Sequence, residues 1–441
     1  MSPPMQISIE TTSGLERRMT VRVPEERLNL EIQNRLKSLA SKVKLDGFRP
    51  GKAPFRLIEQ QYGSQVRQEV MGEMLRKSFA EAVVQQNLRP AGSPRIEAQS
   101  VLAGQGLGYS AVFEVYPEVK LRAIEGLKVE KPVAEITEQD VSNMLETLRK
   151  QRATFEPVER GAQNGDQLQI HFKMRIGDGP WQEHGDKLFT FVLGVNDVEF
   201  DEQLIGARAG QNLTARHTFP ADHTNPDVAG KPVQYDIQVV SVKEPHLPEL
   251  DEKFVRSFGV EEGTVEALRK EARANMQREM EQAIQARVRS QIMDALYERN
   301  PVEVPKAVIE HEVEQLIARA RQNLALRGIN AEGATLDRAK FEPDARRRAA
   351  LGLLLSEIAV REKISPDPAA VRARLEVIAA SYEKPEDVVK WYHSKPEQLE
   401  QIESLALEDQ VIAWLLQRAE ISERPSSFDA LLNPGKVKQI P

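Results

Sequence analysis

Gly47-Phe48-Arg49-Pro50-Gly51-Lys52-Ala53-Pro54 sets two cations and an aromatic ring on one short turn. Proline fixes φ at the first corner and glycine accepts positive φ at the second, which is the pattern of a type II turn. A stiff loop of this kind presents Phe48 between Arg49 and Lys52 and suits a surface that is anionic and partly apolar. Arg35, Lys37, Lys42, Lys44 and Arg56 add positive charge on its flanks. On charge and turn chemistry alone, an ordinary surface turn with solvated cations fits as well.

Other chemistries fail residue by residue. A phosphate-cradling loop needs Gly-x-x-x-x-Gly-Lys followed by a hydroxyl residue, coming off a strand. Here the glycine spacing is one residue short, Ala53 has no hydroxyl for Mg²⁺, and the preceding segment reads as helix. Around Gly104, Gly106 and Gly108, Tyr109 stands where a dinucleotide loop requires its last glycine. His311-Glu312 resembles the start of a zinc-protease helix motif, but Gln315 occupies the place of the second histidine. The chain has no cysteine, which excludes disulfides, thiolate zinc sites and cysteine nucleophiles. No metal or cofactor is expected. Arg346-Arg347-Arg348 reads as the wet face of a helix.

The elements that must carry the turn change type along the chain. Met5 to Glu10 and Arg18 to Val23 alternate as strands, Glu25 to Lys42 has helical spacing of Leu28, Ile32, Leu36 and Leu39, and the turn follows that helix. A second helix is expected over Phe55 to Gln86, with Gly63 as a possible break, and Leu107 to Val115 returns as a strand. Pro117 to Pro132 reads as an extended connector. Thr137-Glu-Gln-Asp140 opens a helix with a capping-type start, and Val141, Leu145 and Leu148 form its apolar stripe. Short strands follow over Gln167 to Phe172, Phe189 to Leu193, Asn212 to Phe219 and Gln234 to Val242, which predicts a small, half-open antiparallel sheet.

From Pro248 onward helical patterns dominate. Thr264 to Asn300 carries one slowly drifting stripe that includes Leu268, Met276, Met280, Val288 and Ile292, and Pro301 ends it. Further helices fit Lys306 to Leu326, Asp344 to Glu362, Pro368 to Ser381, Glu386 to His393 and Pro396 to Ala419. The tail after Leu432 reads as disordered. At 441 residues with a net charge of −7, 29% charged and 5% aromatic residues, the chain suits about three domains with long solvated helices. A basic patch on an acidic protein points to one docking face, not to general nucleic-acid binding. No early run reads as a signal peptide and no uncharged run has membrane-span length, so a cytoplasmic protein with no membrane partner is expected.

Gly47-Phe-Arg-x-Gly-Lys-x-Pro54 is similar to the ribosome-docking motif of the bacterial trigger factor family, chaperones that meet nascent chains at the exit tunnel. Gln6-Ile-Ser-Ile-Glu-Thr-Thr, Tyr62-Gly-Ser-Gln-Val-Arg-Gln, Phe113-Glu-Val-Tyr-Pro-Glu-Val119, Leu247-Pro-Glu-Leu250, Arg256-Ser-Phe-Gly-Val260 and Gly352-Leu-Leu-Leu-Ser-Glu357 resemble the same family in colinear order. The resemblance implies a multidomain α+β protein. It divides into an N-terminal ribosome-binding module (1–117), a connector and helix (118–160), an FKBP-like antiparallel β domain (161–246), a helical body with arms (247–433) and a tail (434–441). It implies docking on the large ribosomal subunit, on protein and rRNA near the tunnel exit, through Gly47, Phe48, Arg49, Gly51, Lys52 and Pro54. Nascent and unfolded polypeptides are the implied clients, and a homodimer off the ribosome is left open.

Ile170-His-Phe172, Gly177-Asp-Gly-Pro-Trp181, Phe191-Val-Leu-Gly194, Thr218-Phe-Pro220 and Tyr235-Asp-Ile237 resemble an FKBP-type prolyl isomerase in order. The resemblance implies a pocket walled by Phe172, Trp181, Phe191, Phe200, Phe219 and Tyr235, with His223 at the rim. The same aromatics also suit the core of a small sheet domain. Where the family has an Ile-Pro-Gly-aromatic floor, this chain has Asp197-Val-Glu-Phe200, shortened and more acidic, and Gln182 stands at a usually acidic position. A holdase with a vestigial isomerase fold is therefore the alternative.

Overall fold

The computed structural model describes residues 5–43, 48, 54–102, 106–122, 124–183, 187–195, 198–220, 228–326, 336–380, 382 and 384–433. Elements are numbered in chain order. The described residues divide between two compact units, Met1–Lys131 with Arg287–Ser422, and Pro132–Ala286 with Glu423–Pro441.

The chain begins with β1 (Gln6–Ser13), β2 (Glu16–Val23), α1 (Glu25–Lys42), α2 (Phe55–Gln85), β3 (Arg95–Leu102) and β4 (Gly106–Glu114). The strands form an antiparallel sheet in the order β1-β2-β4-β3. Strand alternation decides its faces. Met19, Val21 and Val23 with Leu107, Tyr109, Ala111 and Phe113 are buried against Leu28 and Leu36 of α1 and Ile58, Val66, Val70 and Met74 of α2. Gly63 does not break α2, which runs through it. A helical glycine costs about 1 kcal/mol relative to alanine, less than burying Ile58 and Val66 on either side returns. The strand β3 was not foreseen; it completes the sheet by pairing with β4.

Within the expected bare connector lies β5 (Lys128–Val133), which pairs with β12 (Glu420–Pro425) near the far end of the chain. Next, α3 (Glu138–Gln151) starts with the expected capping box: Asp140 N–H donates to Thr137 Oγ1 at 3.2 Å, and Thr137 N–H donates to Asp140 Oδ2 at 2.9 Å. Then come β6 (Thr154–Pro157), β7 (Gln167–Ile176), β8 (Gln182–Glu183), β9 (Phe189–Val192), α4 (Val198–Glu202), β10 (Asn212–Thr218) and β11 (Pro232–His246). They form one antiparallel sheet in the order β10-β11-β7-β8, with β6 on β11 and β9 on β7.

The helical part comprises α5 (Glu252–Arg256), α6 (Val265–Arg299), α7 (Lys306–Leu326), α8 (Arg338–Arg361), α9 (Pro368–Ala379), α10 (Pro385–His393), α11 (Pro396–Leu416) and α12 (Phe428–Leu432). At 35 residues α6 is about 52 Å long. Its stripe is core. Leu268 and Ala272 pack with Leu145, Phe254 and Val255, whereas Met276 and Met280 pack with Val141, Phe428 and Leu431. The helix α8 starts earlier than Asp344, because Asp337 caps it on Ala339 N–H, and Pro343 falls inside.

A clasp joins three helices of the first unit. Arg289 of α6 donates to Glu408 at 2.8 Å and to Asp409 of α11, and Arg374 of α9 also donates to Asp409. Burial pulls the Arg289 guanidinium down, and Asp409 and Glu408 more than reverse this, leaving its pKa above the ordinary value. Among the described residues no helix is long and apolar enough to cross a membrane.

Candidate functional site

Two places hold the residues singled out by sequence, one in each unit. The first is the inner face of the β10-β11-β7-β8 sheet. Leu168, Ile170 and Phe172 alternate with the outward His171 and Lys173 along β7, and register sets Phe172 opposite Ile237 and Met174 opposite Tyr235. Leu168, Ile170, Ile237 and Val239 form the buried floor, and Phe172, Phe189, Phe191, Phe200 and Tyr235 lie half-buried above it. The ring of Tyr235 meets Phe172 at 5.6 Å and Phe200 at 5.1 Å between centroids, both edge-on.

Phe200 comes from α4, a helix of five residues that is too short to hold itself. Side chains on both flanks hold it. The Asp201 carboxylate, 5% exposed, accepts Gly194 N–H at 2.7 Å. The Gln203 amide exchanges two bonds with the Arg216 backbone of β10, at 2.8 and 2.9 Å. Gly194 has φ +81°, and a Cβ there would stand 1.7 Å from Asn164 Oδ1, so the turn requires glycine. At the start of β7 the buried Asp166 accepts two bonds from Arg160, at 2.5 and 3.0 Å, and one from Gln163 N–H. Hydrogen bonding to Asp166 raises the Arg160 pKa above its ordinary value, against some desolvation.

The structure thus brings Phe172, Phe191, Phe200 and Tyr235 together. It adds Phe189, which sequence reading passed over and whose ring lies 4.5 Å from Phe172. Phe189-Thr-Phe191 alternates along β9, so the signal for both rings facing inward was present. Phe219 pairs with His217 at the end of β10, centroids 4.5 Å apart. Trp181 is elsewhere. Register sets Gln182 opposite Met174, which turns Trp181 to the outward face, where Lys173 Nζ and Arg175 lie 5.1 and 4.9 Å from its ring centre. His223 and Asp197 lie outside the described residues, and Glu199 is exposed.

The second place is the end of the α1–α2 hairpin. Arg27 binds Glu81 through two bonds, at 3.0 and 2.7 Å, and Arg35 reaches Glu69 at 3.0 Å and Glu73. The bond to Glu81, with its charge, raises the Arg27 pKa despite partial burial. These pairs fix the helices antiparallel, so α2 begins beyond the end of α1. Pro54 accepts Leu57 N–H at 3.0 Å and starts α2. Phe48, Phe55 and Leu57 are 38%, 39% and 39% exposed, and Arg56 is exposed beside them. Phe55 and Leu57 extend the apolar patch beyond what the turn motif revealed. Gly47, Arg49, Gly51 and Lys52 lie outside the described residues.

Comparison with known proteins gives consistent matches. A family model described as "Bacterial trigger factor protein (TF)" matches residues 5–148, and one for the "Bacterial trigger factor protein (TF) C-terminus" matches residues 264–417. A trigger factor of Stutzerimonas stutzeri is 42% identical over 437 residues, covering 99% of this chain and all of that protein. A trigger factor of Pseudomonas paraeruginosa is 43% identical over the same length and coverage. A solved structure of the trigger factor chaperone covers 93% of this chain and 99% of its own at 18% identity, with a TM-score of 0.45.

Proposed function

Because this chain belongs to the bacterial trigger factor family, which its full-length likeness to curated members establishes, we propose that it is a ribosome-associated chaperone that shelters nascent polypeptides without ATP and isomerises X–Pro bonds. The observation that carries the reading is 42% identity over 99% of the chain. The finer assignments rest on its own residues. Residues 1–117 dock on the large subunit near the tunnel exit, on ribosomal protein and rRNA, through Phe48, Arg49 and Lys52 on the turn Gly47–Pro54, with Gly51 allowing its bend. The exposed Phe55 and Leu57 support an apolar contribution. Residues 161–246 are the FKBP-type isomerase, 247–433 the client-holding body, and the cytoplasm is where such a protein meets ribosomes.

The isomerase needs neither nucleophile nor metal. Resonance gives the peptide C–N bond partial double character and a rotation barrier of about 20 kcal/mol. The planar amide carries charge on its carbonyl oxygen, which an apolar site solvates poorly. The twisted amide, having lost that charge separation, suffers less there, so the barrier falls. Phe172, Phe189, Phe200 and Tyr235 supply such a site, and X–Pro bonds are the substrates because their two isomers lie close in energy.

Replacing Phe48, Arg49 and Lys52 together by Ala removes the aromatic anchor and both cations, each an interface group often worth more than about 1 kcal/mol. Ribosome co-sedimentation should collapse while circular dichroism stays unchanged. Undiminished pelleting at moderate salt would refute the docking assignment. A folded wild-type chain that leaves the uncatalysed isomerisation rate of short X–Pro peptides unchanged would favour a holdase with a vestigial isomerase fold.

A further inference from the structure

The inner-face row that crosses the sheet reads Gln182, Met174, Tyr235, Ala215, each opposite the next on neighbouring strands. Tyr235 belongs to the aromatic cluster, and Gln182 stands two strands away, about 10 Å at the usual strand spacing. Beside Gln182 and Met174, the residue opposite Tyr235, the surface is hollow. A depression of about 420 Å³ is lined by Met174, Ile176, Pro180, Gln182, Val228 and Lys231, ample room for a side chain. A proline ring held over Phe172, Phe200 and Tyr235 places its chain neighbours at one or two steps of about 3.8 Å each. The residue beside the proline therefore reaches the hollow.

We propose that this hollow is a specificity subsite of the isomerase, that it takes the side chain flanking the substrate proline, and that Gln182 sets its preference. The proposal rests on the isomerase reading. Met174, Ile176 and Val228 favour an apolar stem. The Gln182 amide, neutral and able both to donate and to accept, admits amide and carboxylate heads alike. Neither Gln182 nor Lys231 on the same rim sets a negative charge against an acidic flanking residue, so acidic and neutral residues both enter.

The test uses the full chain and short peptides with Glu, Gln or Leu immediately before, or immediately after, the proline. Gln182 is exposed, so Gln182→Glu leaves the fold intact, as circular dichroism would verify. Two like charges about 5 Å apart in a water-like dielectric repel by enough to change a rate constant about fourfold. The expected result is a fall of about fourfold in kcat/KM for Glu relative to Gln, in at least one of the two series, fading at high salt. Gln238→Glu makes the same chemical change on the outward face, opposite His171, and should leave that ratio unaltered. An unchanged ratio for Gln182→Glu in both series, in a chain that isomerises proline, would overturn the subsite alone. So would a result in which Trp181→Ala, and not Gln182→Glu, altered the preference. A folded wild-type chain with no isomerase activity would overturn the isomerase reading itself.

Discussion

Replacing Asp201 by Ala removes the bond that fixes α4 to the turn at Gly194. The carboxylate accepts Gly194 N–H at 2.7 Å from a nearly buried position. A hydrogen bond to a charged group contributes about 1.5–3 kcal/mol. Gly194 is itself exposed, so water replaces the lost acceptor and the lower half of that range applies, about 2 kcal/mol. This corresponds to about a thirtyfold rise in local opening of α4. The Gln203 clamp on β10 remains, so the helix stays tethered on one flank while Phe200 loses its fixed position 5.1 Å from Tyr235. Hydrogen exchange of the full chain should show faster exchange at residues 198–202, with β7 and β11 unchanged. In the same variant, kcat/KM for X–Pro peptides should fall with little change in global unfolding. Unchanged exchange in α4 would refute the role of Asp201. Faster exchange with undiminished turnover would refute the role of Phe200 in the pocket.

Deleting residues 153–247 and closing the gap with a short flexible linker should leave aggregation suppression of a proline-free client largely intact. The ends are adjacent, because Thr154 and His246 are cross-strand partners about 5 Å apart; loss of most holding in a folded deletion would contradict the division of labour. The Tyr109 phenol is pushed up from its ordinary value near 10 by burial, partly offset by its hydrogen bond with Ser78. Its folded pKa is raised, so the native state keeps a proton that the unfolded chain releases, and stability falls as pH rises past about 10. Tyr109→Phe should cost about 1 kcal/mol at pH 7 and show a smaller loss of urea midpoint than wild type between about pH 9 and about pH 11.

The sequence by itself determined the elements whose signals are local. Glu25–Lys42 and Lys306–Leu326 form helices over the expected residues, Pro368 and Pro396 open α9 and α11, and the Thr137–Asp140 box starts α3. Caps, prolines and helical spacing act within one or two turns, so they are legible without a partner. The turn motif and the order of the aromatics were legible for the same reason, and they carried the family resemblance. Only the tertiary structure decided which face each side chain takes and what pairs across the chain. Strand side chains alternate with a period of two, so one residue of register exchanges Trp181 for Gln182 on the inner face. No local preference sets that register; the ladder to Met174 does. The pairing of β5 with β12, and the covering of Met276 and Met280 by Phe428 and Leu431, join residues far apart in sequence. Burial of this kind is a property of the assembled core, and an apolar stripe read alone does not reveal what covers it.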